Sequence, residues 1–199
     1  DTFLAKHPVS GKIVLIGESM GGYLAPRAAA FDSRISGVVA YDVFYDGYAI
    51  ATRHVPSFVF WLRDHHYDSV LHFLAAHGPS DPGSTWAVQN GMGVLGAKGP
   101  FELLDAFKPY TLAPVASRIT GDVLILAGAD DHFVPLNQVD EFQKSLTHAH
   151  SVTTKVFSRE SGGNEHCQLG AASLWQATLF DWLAAKYGQP GQAVPITQK

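Results

Sequence analysis

The sequence has a single cysteine, Cys167, so no internal disulfide can form and a reducing, cytoplasmic setting is the expectation. Runs of Lys and Arg never exceed a residue or two, and the net charge is −4. That balance leaves no electrostatic footprint for nucleic acid or an anionic membrane. No apolar run approaches the length of a membrane span, and the first residues do not read as a signal peptide. Five histidines, His54, His65, His66, His72 and His77, fall between residues 46 and 118, but they have no cysteine partner and no H-E-x-x-H pattern. Neither metal nor cofactor is therefore expected, and the His65–His66 pair reads as pointing to different faces of one helix. Internal repeats and low-complexity blocks are also missing.

What is present is the composition of a globular chain with a real core: 199 residues, 46% hydrophobic and 16% charged. Short β-branched apolar runs at 12–17 (KIVLIG), 36–41 (SGVVAY) and 121–127 (GDVLILA) read as strands buried on both faces. The run 152–157 (VTTKVF) alternates more and reads as lying nearer an edge. Helical spacing follows at 21–31, despite Pro26, and at 136–147 and 168–186. Strands separated by helices predict an α/β fold with a mostly parallel sheet and helices on both faces. The rhythm breaks between 46 and 118, where SFVFWLRDHHYDSVLHFLAAH is an amphipathic helical pattern followed by a loop-rich GPSDPGST. The expectation is a core of residues 1–45 and 119–187, a helical lid over the sheet at 46–118, and a loose tail at 188–199.

Chemistry concentrates at the ends of the strands. Gly17-Glu18-Ser19-Met20-Gly21 is a G-x-S-x-G pattern placed between a strand and a helix. In that context a serine is held on a strained corner with its hydroxyl projecting, both flanking glycines are expected to be needed for space, and the Met20 N–H faces a developing oxyanion. A lone serine is a poor nucleophile, so a base and an acid are required. An acidic turn, Gly128-Ala129-Asp130-Asp131-His132-Phe133-Val134-Pro135, follows the strand at 121–127. A Gly-rich loop, Ser161-Gly162-Gly163-Asn164-Glu165-His166, follows the strand at 152–157. Catalytic groups of open α/β sheets gather at the carboxyl ends of the strands, so all three segments share one rim. Asp42 and Asp46, after the strand at 36–41, are rival acids. Glu18 and Glu165 adjoin the serine and histidine, His132 reads as a solvent-facing loop residue, and Cys167 as a small apolar residue.

The patterns G-E-S-M-G-G-Y, G-A-D-D-H-F-V-P and G-G-N-E-H together resemble the α/β-hydrolases over nearly the whole chain. They are most similar to a branch containing hydrolases like 2,6-dihydroxypseudooxynicotine hydrolase and the polyketide-shortening hydrolases of fungal pigment pathways. The resemblance implies Ser19 as nucleophile, Asp131 as acid and His166 as base. It implies a small-molecule substrate that is bulky and largely apolar, polyketide-like or β-diketone-like, cleaved at an acyl or carbon–carbon bond. Phe58, Trp61 and Trp86 are candidate pocket residues. Alternatives are a carboxylesterase, an exopeptidase-like hydrolase, or an idle small-molecule binder of the same fold. The family's sheet resembles eight strands with the nucleophile after the fifth, whereas one strand precedes Ser19 here. The residues are therefore expected to be the carboxyl-terminal part of a longer polypeptide, completed by an N-terminal portion, a second chain or an oligomer.

Overall fold

The computed structural model describes residues 5–8, 11–77 and 82–188. The expected tail at 188–199 and the first half of the GPSDPGST stretch lie almost wholly outside them. In chain order the elements are β1 (Ile13–Glu18), α1 (Gly21–Ala29), β2 (Ile35–Tyr41), α2 (Gly47–Thr52), α3 (Ser57–Asp64), α4 (Asp68–His77), α5 (Pro82–Leu95) and α6 (Pro100–Ala106). After these come β3 (Asp122–Gly128), α7 (Asn137–Ser145), β4 (Ser151–Phe157) and α8 (Ala172–Tyr187). They fall into two compact units, Asp1–Asp46 with Thr111–Lys199, and Gly47–Tyr110.

The first unit holds a four-stranded parallel sheet in the order β1-β2-β3-β4. Parallel neighbours need a crossover, and α1 and α7 supply two of them, between β1 and β2 and between β3 and β4. Every residue of β3 is buried, as a central strand covered on both faces requires. Val39 and Tyr41 of β2, Leu124 and Leu126 of β3, and Phe157 of β4 pack with Leu179 and Trp182 of α8 into one apolar cluster. At the far end of α8, the Tyr187 hydroxyl donates to Ser36 O and to Asp122 Oδ2, both at 3.0 Å. The helix is thereby tied to the amino ends of β2 and β3.

Two strands depart from the centre in different ways. The alternation of β4 marks an edge position, and β4 is the last strand of the sheet. β1 reads as buried on both faces, yet Ile16 is 49% exposed. The reason is positional: among the described residues no strand lies beyond β1. The helix expected from 168 starts at Ala172, because Cys167 and Gln168 take φ of +53° and +41° and cannot continue a helix.

The second unit is helical, α2 to α6. The amphipathic run from Ser57 to His77 is two helices rather than one, broken at His66, whose φ is +59°. His65 and His66 therefore sit beyond the end of α3 and do not share a helix. Pro82 opens α5, so the second half of the GPSDPGST stretch is helix and not loop. Within this unit Val55, Val59, Leu71, Leu74 and Phe101, with Asp68, line a cleft of about 330 Å³. Among the described residues no helix is long and apolar enough to cross a membrane.

Candidate active site

Each of the four strands delivers one polar residue to the same place, at its carboxyl end: Ser19 after β1, Asp42 after β2, Asp131 after β3 and His166 after β4. Ser19 takes φ of +54°, a left-handed conformation that non-glycine residues adopt only under constraint. The constraint is visible in its backbone. Ser19 N–H donates to Tyr41 O of the neighbouring strand at 3.0 Å, and Ser19 O accepts the Gly22 N–H at 2.7 Å. The corner needs glycine at position 17, as the sequence pattern has it, but its second requirement falls one residue beyond the pattern. A Cβ on Gly17 would lie 1.8 Å from Gly21 O, and one on Gly22 would lie 2.6 Å from Asp42 O, whereas one on Gly21 meets nothing within 4 Å. The flanking pair that the fold requires is Gly17 and Gly22. Gly21, the first residue of α1, has the space for a side chain.

His166 is buried and links two partners. Its Nδ1 lies 2.7 Å from Asp131 Oδ2, and its Nε2 lies 2.9 Å from Ser19 Oγ. With the ring proton donated from Nδ1 to the carboxylate, Nε2 is left to accept the Ser19 hydroxyl. Burial works to lower the His166 pKa, but the hydrogen bond and charge of Asp131, followed by the charges of Asp42 and Glu18, leave it above the ordinary histidine value. The other oxygen of Asp131, Oδ1, accepts the N–H groups of Phe133 (2.7 Å) and Val134 (2.9 Å), so the carboxylate is clamped on both sides. Asp130 turns the other way. Its Oδ2 accepts from the Arg159 guanidinium at 3.0 Å and from Asn164 Nδ2 at 2.9 Å. That network ties the acidic turn to the histidine loop, helped by Asp130 N–H donating to Asn164 O at 2.8 Å.

Several residues of the site have a role that the sequence patterns do not assign. Asn164 and Arg159 reveal themselves only through their partners. Phe133 sets its ring edge-on to His166 at 5.0 Å between centroids. The Tyr41 hydroxyl donates to Cys167 O at 2.5 Å. Glu165 is exposed, accepts from Asn164 Nδ2 at 3.2 Å and lies 3.8 Å from His132 Nδ1, while Glu18 interacts with the Cys167 thiol. Burial first, then the charges of Asp42 and Glu18, push the Cys167 thiol well above its usual pKa, so it stays protonated and unreactive. At the start of α1, no hydrogen bond among the described residues engages the Met20 N–H. It is thus available beside Ser19, as a helix N-terminus leaves its first donors free.

Asp42, His166 and Cys167 bring a carboxylate oxygen, a ring nitrogen and a sulfur within 4.8 Å of one another. Both ring nitrogens are already taken by Asp131 and Ser19, so the cluster is part of this site and not a separate metal centre. The pocket candidates lie on the helical unit, Phe58 and Trp61 on α3 and Trp86 on α5, each more than half exposed. Trp61 stacks on Tyr67 and on His65, at 5.6 and 4.3 Å between centroids.

No family model matches the chain. Among curated proteins it is similar to the alpha/beta hydrolase ucsC of an Acremonium species, 26% identical over all of this chain and 46% of that protein. It is also 25% identical to 20-hydroxy-prefusarin hydrolase FUS2 of Gibberella moniliformis, over 88% of this chain and 43% of that one. The chain thus spans less than half the length of these relatives. Among solved structures it superposes on 2,6-dihydroxy-pseudo-oxynicotine hydrolase with a TM-score of 0.61, at 20% identity over 92% of this chain and 42% of that one. An esterase of Pyrococcus furiosus gives 0.62 at 16% identity, over 94% and 59%.

Proposed function

We propose that this chain, which has the α/β-hydrolase fold, carries the catalytic half of a serine hydrolase. Ser19 Oγ attacks a substrate carbonyl while His166 Nε2 takes its proton, and the new oxyanion forms beside the Met20 N–H. Asp131 holds the imidazole in its working tautomer and stabilises the imidazolium. On collapse the carbonyl–leaving-group bond breaks and His166 returns the proton to the leaving group. Water then repeats the sequence on the acyl-serine, releasing an acid and restoring the hydroxyl. The observation that carries this reading is the continuous link from Ser19 Oγ through His166 to Asp131, at 2.9 and 2.7 Å, built on a left-handed serine.

The leaving group is an alcohol, an amine or a stabilised carbanion. We favour a bulky, largely apolar substrate, polyketide-like or β-diketone-like, cleaved at an acyl or carbon–carbon bond. Its support is the motif resemblance and the exposed Phe58, Trp61 and Trp86. A further part of the proposal is that the open edge of β1 pairs with a strand from elsewhere, which also brings a second oxyanion donor. Losing one such donor costs ~10²–10³ in rate, so residues 1–199 by themselves should be weakly active.

Covalent capture by a fluorophosphonate probe tests the reading. The protein should label at Ser19, and Ser19→Ala should abolish both labelling and turnover of a screen of ester, amide and β-diketone substrates. A folded protein that never labels would instead be an idle binder of the same fold.

A further inference from the structure

Asp42 has no task in the scheme above, yet it lies at the heart of the site. It is fully buried, takes φ of +55°, and its N–H donates to Leu126 O at 2.8 Å. Its Oδ2 accepts the Cys167 N–H at 2.5 Å and lies 3.6 Å from His166 Nδ1. Its Oδ1 has no hydrogen-bond partner among the described residues. A carboxylate used only as a structural anchor is expected to have both oxygens engaged, as Asp131 does, because an unsatisfied buried oxygen is costly. The Cys167 backbone it holds is itself left-handed and directly follows the histidine.

We infer that Asp42 is a positioning residue for His166: it fixes the histidine loop through the Cys167 N–H and sets a second carboxylate beside Nδ1 as a partner for the imidazolium. This rests on the proposed roles of Ser19 and His166. The ionisable groups facing His166 are Asp131 from the β3–α7 turn, Asp42 from the end of β2, Glu18 from the end of β1, and Cys167, Glu165 and His132 from the two loops. Only Asp131 and Asp42 are carboxylates within 4.0 Å of the ring among the described residues. Burial and then the charge of Asp131 hold the Asp42 pKa above the ordinary carboxylate value, and the Cys167 N–H and the charge of His166 offset that rise only in part. Asp42 is thus best accommodated as an anion when His166 is charged, which is the moment at which the reaction needs it.

The test uses the intact protein, with Asp42→Asn and Asp131→Asn variants, and two readouts. One is the pH profile of fluorophosphonate labelling. The other is the titration of His166 followed by NMR of ¹³C-labelled histidine, assigned with His166→Gln. In Asp42→Asn the high-pH labelling rate should fall roughly tenfold or more, the scale of a charge-assisted contact made neutral. The His166 midpoint should move to lower pH, since a charge that raised it is gone. A midpoint that stays in place or rises overturns the inference, even if the rate falls. Should Asp42→Asn fail to fold, Asp131→Asn decides: with Asp42 still present, the His166 midpoint should remain at or above about 6.5, the value of a free histidine. A midpoint well below that, with burial winning unopposed, refutes the role. If the wild-type protein does not label, the hydrolase reading fails, while the NMR titration still tests Asp42 by itself.

Discussion

Replacing Gly128 by Ala probes the join between the acidic turn and the histidine loop. Gly128 ends β3, and a Cβ built there lies 2.4 Å from Asn164 O and 2.6 Å from Glu165 O. Both neighbours are backbone, so neither can swing aside as a flexible side chain would. The closer contact is about 1 Å short of the 3.4 Å at which ordinary contact begins, and a misplacement of about 1 Å in a catalytic group costs on the order of 10²-fold. The strand is buried along its length and central in the sheet, so the loop should give way first. His166 then moves off Asp131 and Ser19, whose contacts of 2.7 and 2.9 Å leave little slack. The expected result is a fall of about 10²-fold in the rate of fluorophosphonate labelling and in turnover, with the circular dichroism spectrum unchanged. A Gly128→Ala protein that labels within threefold of wild type would refute the claim that the loop is seated on this glycine.

Three further outcomes follow from the same geometry. Gly22→Ala should destabilise the protein by about 1–3 kcal/mol, because its Cβ would sit 2.6 Å from Asp42 O. Gly21→Ala should be neutral or slightly stabilising, and thermal melts that reverse this order would contradict the assignment of the essential glycine. Asp131→Asn should lower turnover by ~10⁴, as the imidazole loses its tautomer and its charge partner; a loss under tenfold would take Asp131 out of the mechanism. Because His166 must be neutral to accept the Ser19 proton and its pKa lies above the ordinary 6.5, labelling should be full at high pH. It should decline as pH falls through a midpoint above 6.5, and a midpoint below that value would show that burial outweighs Asp131.

The four strands, the serine on its corner and the two loops that follow β3 and β4 were all readable from the chain. Each is a local pattern: β-branched runs make strands, Gly17-Glu18-Ser19 makes a turn, and glycine with acidic residues makes loops. The strand-to-helix alternation added the parallel sheet, and a parallel sheet brings every strand's carboxyl end to one rim. Local pattern misled where the backbone broke it. His66 and Cys167 both take left-handed conformations that no propensity signals, and they split one expected helix and delay the start of another.

The tertiary structure alone decided which groups meet. Neighbouring Asp130 and Asp131 are alike in sequence, yet one reaches Arg159 and Asn164 while the other reaches His166, because side chains of adjacent residues leave a turn in different directions. The need for Gly22 in place of Gly21 arises from the approach of the β2 end, 20 residues further along the chain, to the first turn of α1. Asp42 offered only its position after a strand, and its place against Cys167 and His166 depends on how β2 and β4 flank β3. Sequence thus specifies backbone and chemistry within a segment. Contacts across segments are settled by sheet order and strand spacing, which set one carboxylate in a hydrogen bond with the histidine and the other just beyond it.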